Sequence, residues 1–300
     1  MPTNDPRQSK SQKRDEAREK ARLMRIEQER KAKRTRIAII VFASVVVVAL
    51  GTAVGFILKS NADKAEQYSS VAFGGGGADV VAPTDATAPS SANGGVFIPI
   101  SKAGVGKAGE GDTTLSIYFD LQCPVCANFD AVNSADLDAL AKEDGITIKY
   151  FPISFLDSMS NGTFYSTRAT NAASIVADKD AEHFSPFITA LYAQQPAEHS
   201  DGLTDEQIAT IATGVGVPAD VADTFTDTVD GTYKVQGSDE ERSGTWRTFA
   251  PWIDSNTAAF GELFPKGGTP TILIDDKAFT GNWQNPGELK KAVEAAAAAK

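Results

Sequence analysis

The pattern of apolar and polar positions divides the chain into four segments. Residues 1–36 are almost entirely polar, and residues 37–58 form an uninterrupted run of 22 uncharged, mostly apolar residues. Residues 59–95 contain few large apolar side chains, whereas residues 96–300 show the apolar spacings of strands and helices. We therefore predict a polar arm, a membrane-spanning helix, a flexible tether and a folded domain.

The apolar run at 37–58 is long enough to span a bilayer, because a helix rises about 1.5 Å per residue across a core about 30 Å thick. Several basic residues directly precede the run, and only Lys59 and Lys64 follow it closely. The excess of positive charge predicts a single-pass anchor in membrane lipid, with a cytoplasmic N-terminus and an extracytoplasmic domain. A cleavable signal peptide is the alternative, and the long polar segment before the run argues against it.

The segment at 59–95 is rich in Ser, Ala, Gly, Pro and Thr, and it contains four consecutive glycines at 74–77. Such a composition buries too little apolar surface to offset the entropy lost on ordering. We therefore expect a flexible tether, which would let the following domain reach substrates away from the membrane surface.

Strand and helix patterns alternate along residues 96–300. The predicted strands cover 96–100, 114–119, 146–151, 267–275 and 277–280, with a turn at Asp275-Asp276. The predicted helices cover 124–129 with a continuation or restart at 135–142, then 166–177, 183–192, 204–212, 218–225, 232–259 and a last helix capped by Asn285. This order predicts an α/β fold, with a thioredoxin-like core and an inserted helical domain at about 155–262.

Charge is distributed unevenly in a chain whose formal net charge is −10. Residues 1–36 carry 13 Lys/Arg and 6 Asp/Glu, whereas residues 59–300 carry 16 Lys/Arg and 33 Asp/Glu. The acidic domain argues against a nucleic-acid partner, since phosphate binding needs a basic face. The chain also has only two histidines and two cysteines, too few and too scattered for a zinc site, so we expect no metal.

The two cysteines, Cys123 and Cys126, form a C-x-x-C pair after an apolar strand pattern. A disulfide across so short a loop restricts the unfolded chain very little, which favours a bond that opens and closes over a structural one. Pro124 suits the first position of a helix. Cys123 is then expected at the helix N-terminus, where the helix dipole favours thiolate over thiol.

The segment F-D-L-Q-C-P-V-C-A-N-F-D, the later G-G-T-P-T-I-L-I-D and the helical block between them resemble the DsbA-like thiol–disulfide oxidoreductases. The likeness is greatest to membrane-anchored actinobacterial members, and it covers about residues 96–300. It implies that Cys123 is the exposed nucleophile that joins a client protein, and that Cys126 is its more buried partner. It also implies that Thr269 and Pro270 form a cis-proline loop that binds the client backbone.

The chain departs from this family at two places. Strongly oxidising members often have a histidine where Val125 follows Pro124, and valine offers a Cys123 thiolate neither charge nor hydrogen bond. In addition, Ser116-Ile117 stands where some relatives carry a buried acid that moves protons to the second cysteine. Asp120 is nearby, and it is interpreted either as a proton relay or as an ordinary capping or loop acid.

The resulting prediction is an extracytoplasmic oxidase that donates the Cys123–Cys126 disulfide to exported proteins with free thiols. The family implies a membrane partner that restores the disulfide, such as a DsbB-like or VKOR-like oxidase, and no cofactor besides the disulfide itself. A disulfide reductase or isomerase of the same fold is the first alternative. A non-enzymatic, anchored binding or chaperone module is the second.

Overall fold

The computed structural model describes residues 10–77, 79–92 and 94–300, which form one unit ending at residue 62 and another covering 63–300. In these ranges the helices are α1 (Lys10–Gln67), α2 (Pro124–Leu140), α3 (Tyr165–Lys179), α4 (Phe184–Ala193), α5 (Asp205–Gly214), α6 (Ala219–Ala222), α7 (Ala250–Leu263) and α8 (Glu288–Ala298). The strands are β1 (Ile98–Ser101), β2 (Gly104–Val105), β3 (Thr113–Phe119), β4 (Ile146–Pro152), β5 (Thr228–Lys234), β6 (Glu241–Arg247), β7 (Thr271–Ile274) and β8 (Lys277–Ala278).

Helix α1 contains the whole of the predicted span at 37–58. The large apolar side chains of that stretch, such as Phe42 and Leu58, are exposed. By length and composition, α1 is the one helix of the described chain that is suited to cross a membrane. The predicted arm is helical from Lys10 onward, and its first nine residues lie outside the described ranges.

A six-stranded mixed sheet, in the order β2-β1-β4-β3-β7-β8, forms the centre of the second unit. Strands β3 and β4 are parallel, with Ile117 opposite Tyr150, and α2 makes the crossover that parallel strands need. Strand β7 is antiparallel to β3, with Ile272 opposite Ile117. The predicted α/β fold with a thioredoxin-like core is therefore confirmed.

The predicted helical insertion is present as α3 to α7, between β4 and β7. Helix α3 is buried without interruption from Tyr165 to Ala177, and Phe184 and Phe187 of α4 are completely buried beside it. The predicted capping box begins α5, where the side chains of Thr204 and Gln207 bond each other's backbone N–H groups. The insertion thus has its own buried interior next to the sheet.

The expectation that strands are nearly absent from this insertion is wrong, because β5 and β6 form an antiparallel hairpin. Both strands are mostly exposed, so they lack the apolar alternation by which a strand is recognised. Gly231 lies opposite Gly244, and the Trp246 ring lies so close that a Cβ atom on either glycine would be within 3 Å of it. The helix predicted at 232–259 therefore begins only at Ala250.

The prediction of a flexible tether at 59–95 is also wrong for much of its length. Helix α1 continues to Gln67, and Val71 and Phe73 are then buried. The Phe73 ring packs edge-on against Trp246 with 4.6 Å between the ring centroids, and the backbone N–H of Arg247 donates to the carbonyl of Val71 at 3.1 Å. A few apolar residues thus attach this segment to the folded domain, although its average composition is that of a linker.

Further along the same segment, two polar contacts also attach it to the domain. Val80 forms an isolated antiparallel bridge with Val235, directly after β5. The backbone N–H of Ser90 donates to the Asp178 carboxylate at 2.7 Å, near the end of α3. The folded domain therefore begins well before the predicted boundary at residue 96.

The elements near the sheet agree with the predictions in part. Helix α2 is continuous, which is one of the two predicted alternatives, whereas the short strand β2 was not predicted. The predicted turn at Asp275-Asp276 is confirmed, since both residues adopt a positive φ, as a tight hairpin turn requires. The last helix begins at Glu288, because the side chain of Asn285 donates to the Glu288 carboxylate instead of capping a helix.

Candidate active site

The cysteine pair lies where strand β3 leads into helix α2. Cys123 is the residue before the helix, Pro124 is its first residue, and the backbone N–H of Cys123 donates to the Asp120 carbonyl at 3.0 Å. Cys126 lies one turn into the helix and is only 1% exposed. The helix N-terminus predicted for Cys123 is therefore present.

Cys123 itself is buried, at 5% exposure, which corrects the expectation of an exposed nucleophile. The reason is the loop before β7, whose Thr269 carbonyl oxygen lies 3.2 Å from the Cys123 sulfur. The neighbouring Pro124 and Val125 are exposed, and Val125 retains 47% of its surface. The two residues between the cysteines are therefore exposed at the surface, whereas the cysteines themselves are buried.

The Thr269–Pro270 peptide bond is cis. Because β7 pairs with β3, the loop that precedes β7 lies next to the end of β3, where the cysteines are. Thr269 is buried beside the cysteine pair. The sheet thus brings together two sequence motifs that are nearly 150 residues apart.

The two thiols differ in acidity because their surroundings differ. A hydrogen bond from Cys126 lowers the pKa of Cys123 to about 6, against the opposing effect of burial. Thr269 and the N–H groups of Val125 and Cys126 lower it further. Burial, in contrast, raises the pKa of Cys126 well above its usual value. Near neutral pH, the reduced pair therefore holds its negative charge on Cys123 and its proton on Cys126.

Asp120 is completely buried directly after β3. One carboxylate oxygen accepts hydrogen bonds from the Gln122 N–H at 2.8 Å and the Ser166 hydroxyl at 2.6 Å, and the other accepts from the Leu156 N–H at 2.9 Å. Burial raises the pKa of Asp120 to about 7, although these donors act to lower it. In the described part of the chain, the hydrogen bonds of the Asp120 carboxyl group do not reach Cys123 or Cys126. They hold the loop that leads from β3 to the cysteines. A proton-relay role for Asp120 stays a prediction.

Two residues that the sequence analysis missed also contact the active-site loop. Tyr192, near the end of α4, and Gln195, just after it, donate side-chain hydrogen bonds to backbone carbonyls of that loop. They lie about 70 residues from the loop in sequence and belong to no motif. Only the packing of α4 beside α2 reveals them.

The two histidines lie outside this site. His183 is bonded to Asp180, with 2.7 Å between Nδ1 and the carboxylate, and the ligand atoms of these two residues and Glu182 lie within 4.8 Å of one another. His199 has a positive φ, and its backbone N–H donates to the Met159 carbonyl. Neither histidine has a described hydrogen bond to a cysteine.

A cysteine pair at the start of the helix after a central strand, with a cis-proline opposite, is the arrangement expected of the thioredoxin fold. The profile of the family described as thioredoxin matches residues 106–295, which is well over half of the chain. The chain therefore belongs to the thioredoxin family.

Two of the solved structures with a similar fold come from actinobacteria. MdbA, a thiol-disulfide oxidoreductase from Actinomyces oris, is 21% identical, with a TM-score of 0.50 over 66% of this chain and 86% of that one. DsbA from Mycobacterium tuberculosis in its oxidised form is 20% identical, with a TM-score of 0.47 over 67% and 99% of the two chains. At this level of identity, the similarity to MdbA establishes the fold alone.

The curated relatives include the serine/threonine-protein kinase PknE of Mycobacterium tuberculosis. It is 28% identical over 205 residues, which make up 67% of this chain and 32% of the kinase. The chain thus spans about a third of the length of the curated relatives that it matches.

Proposed function

We propose that this protein is a thiol–disulfide oxidoreductase in which Cys123 and Cys126 alternate between two thiols and a disulfide. The observation that carries the proposal is the position of Cys123 at the start of α2, one helical turn from the buried Cys126 and 3.2 Å from the Thr269 carbonyl of the cis-proline loop. These surroundings lower the pKa of Cys123 and raise that of Cys126. A merely structural pair, as in a binding or chaperone module, needs no such difference in acidity.

The exchange proceeds by two displacements at sulfur. A client thiolate attacks the Cys123 sulfur of the oxidised protein, the bond to Cys126 breaks, and the Cys126 sulfur takes up a proton. A second client thiolate then attacks the client sulfur of this mixed disulfide and releases Cys123 as a thiolate. The client loses two electrons and its two thiol protons, and the protein gains the two electrons.

The role of oxidase is favoured by the acidity of Cys123. A thiolate that is stabilised in the reduced protein makes reduction easier, so the disulfide is readily given away. The side chain of Val125 adds nothing to this stabilisation, but Cys126 and the backbone N–H groups, including that of Val125, supply it instead. Within the same proposal, Thr269 and Pro270 bind the client backbone beside Cys123.

The helix α1 supports a location in the cell membrane, with residues 37–58 as a single span and the catalytic domain outside the cytoplasm. Disulfides persist in that compartment. The clients would then be exported proteins that still carry free thiols, and a DsbB-like or VKOR-like membrane oxidase would take the two electrons from the reduced pair.

The deciding experiment is the reduction potential of the Cys123/Cys126 pair in the full chain, purified in detergent and equilibrated in glutathione buffers. We expect a value closer to about −120 mV than to about −270 mV. Alkylation of trapped thiols, followed by mass measurement, gives the oxidised fraction, and Cys123→Ser is the control that must not form the bond. A value near −270 mV would favour a reductase, and absence of exchange would exclude both enzymes.

A further inference from the structure

The end of helix α4 holds the loop that carries the nucleophile. The Tyr192 hydroxyl donates to the carbonyl of Asp120 at 3.2 Å. The Gln195 side-chain amide donates to two carbonyls of the same loop, that of Leu121 at 2.9 Å and that of Cys123 at 3.0 Å. Three carbonyls just before α2 therefore have donors on one element of the helical insertion.

We propose that Gln195 is a positioning residue that sets the redox properties of Cys123 by fixing the carbonyls of Leu121 and Cys123. The inference rests on the proposed function and adds a component to it. A single NH₂ group bonds both carbonyls, so one side chain holds two peptide units, the one that follows Leu121 and the one that follows Cys123.

The carbonyl of Cys123 links the Gln195 side chain to the surroundings of the Cys123 sulfur. It accepts the bond from the Ala127 N–H at 3.1 Å, which closes the first turn of α2. The N–H groups that stabilise the Cys123 thiolate, those of Val125 and Cys126, belong to the same turn. If the Cys123 carbonyl loses its second donor, this turn is less firmly held, and its N–H groups are less well aligned with the sulfur.

The surroundings of Gln195 separate this role from a role in core packing. Gln195 lies beyond the last residue of α4 and is partly exposed, and its backbone N–H donates to the carbonyl of Tyr192 at 3.2 Å, which a substitution leaves intact. Removing its amide therefore leaves no large cavity in the apolar interior. The adjacent Gln194 is exposed and provides a matched control.

The test compares Gln195→Leu with Gln194→Leu in the full chain. We expect Gln195→Leu to raise the pH at which Cys123 alkylation by iodoacetamide is half-maximal by about half a unit to one unit, since hydrogen bonds of this kind change equilibria about threefold to tenfold. Its dithiol–disulfide equilibrium with glutathione should shift toward the disulfide by the same factor, or about 15–30 mV. Gln194→Leu should change neither quantity.

A second variant, Gln195→Glu, keeps the size of the side chain but presents a carboxylate to the two carbonyls. Its pH of half-maximal alkylation and its equilibrium with glutathione should shift in the same direction as in Gln195→Leu. Both shifts should exceed those of its own control, Gln194→Glu. If both Gln195 variants match their controls, or if they lose the fold by circular dichroism, the positioning role is wrong. Normal exchange by the unmodified protein would then leave the proposed function standing, whereas its absence would remove the proposed function itself.

Discussion

At the scale of single residues, the acidity of Cys123 depends on its partner more than on its place at a helix end. The hydrogen bond from Cys126 is the largest contribution that lowers its pKa. The exposed Val125 takes part only through its backbone N–H. A valine side chain at position 125 therefore leaves the main stabilisation of the Cys123 thiolate, the hydrogen bond from Cys126, in place.

We therefore predict that Cys126→Ala raises the pKa of Cys123. A hydrogen bond to a charged group contributes about 1.5–3 kcal/mol, so the pKa should rise from about 6 by roughly one unit or more. The measurement is the pH dependence of Cys123 alkylation in the reduced protein, in which the rate rises as the thiolate forms.

Cys126→Ser is the matched control for this change, since its hydroxyl retains a donor one turn from Cys123. Its half-maximal pH should lie closer to that of the unmodified protein than to that of Cys126→Ala. Equal midpoints for all three proteins would show that the helix end, and not the partner thiol, determines the acidity.

At the scale of elements, the segment between the span and the sheet packs as part of the domain. Phe73 is 5% exposed, and its ring contacts those of Trp246 and Tyr233, with centroid distances of 4.6 and 6.2 Å. The β5–β6 hairpin supplies both partner rings. A residue in the predicted tether and a hairpin in the predicted helical block thus form one small apolar cluster.

We predict that Phe73→Ala lowers the free energy of unfolding of the domain by about 3–5 kcal/mol, the usual cost of removing a buried phenylalanine ring. Urea unfolding of the full chain in detergent, followed by tryptophan fluorescence, measures this loss. The control is Val81→Ala, because Val81 is 41% exposed and should change stability by no more than about 0.5 kcal/mol. If the segment were a flexible tether, the two variants would have equal free energies of unfolding. That result would contradict the packing of Phe73 against the hairpin.

At the scale of the whole molecule, the proposed arrangement across the membrane rests on α1 and on the charge on either side of its apolar stretch. Residues 1–36 have seven more basic than acidic residues, and residues 59–300 have seventeen more acidic than basic ones. Membrane insertion retains short basic segments in the cytoplasm. The proposed role of disulfide donor also fits an oxidising compartment.

Protease treatment of intact cells tests this orientation. With one epitope at each end of the chain, the C-terminal epitope should be digested and the N-terminal one retained, because the bilayer protects the cytoplasmic side. Lysis with detergent should expose both. Digestion of the N-terminal epitope in intact cells would place the arm outside and reverse the proposed topology.

Much of the fold could be predicted from local patterns. The strand at β3, the start of α2 at Pro124, the capping box of α5 and the turn at Asp275-Asp276 each depend on residues adjacent in the chain. The hairpin of β5 and β6 could not be predicted, since its strands are stabilised by each other and by Phe73 rather than by a buried apolar face of their own.

The sequence by itself determined the cysteine pair, the Thr269-Pro270 motif and the candidate span, because each is a short pattern carried by adjacent residues. Only the tertiary structure decided that Cys123 is covered by Thr269, that Asp120 holds the loop and that Gln195 bonds two of its carbonyls. These contacts join residues far apart in sequence, and no local preference specifies them. They form when the sheet and the helical insertion pack together.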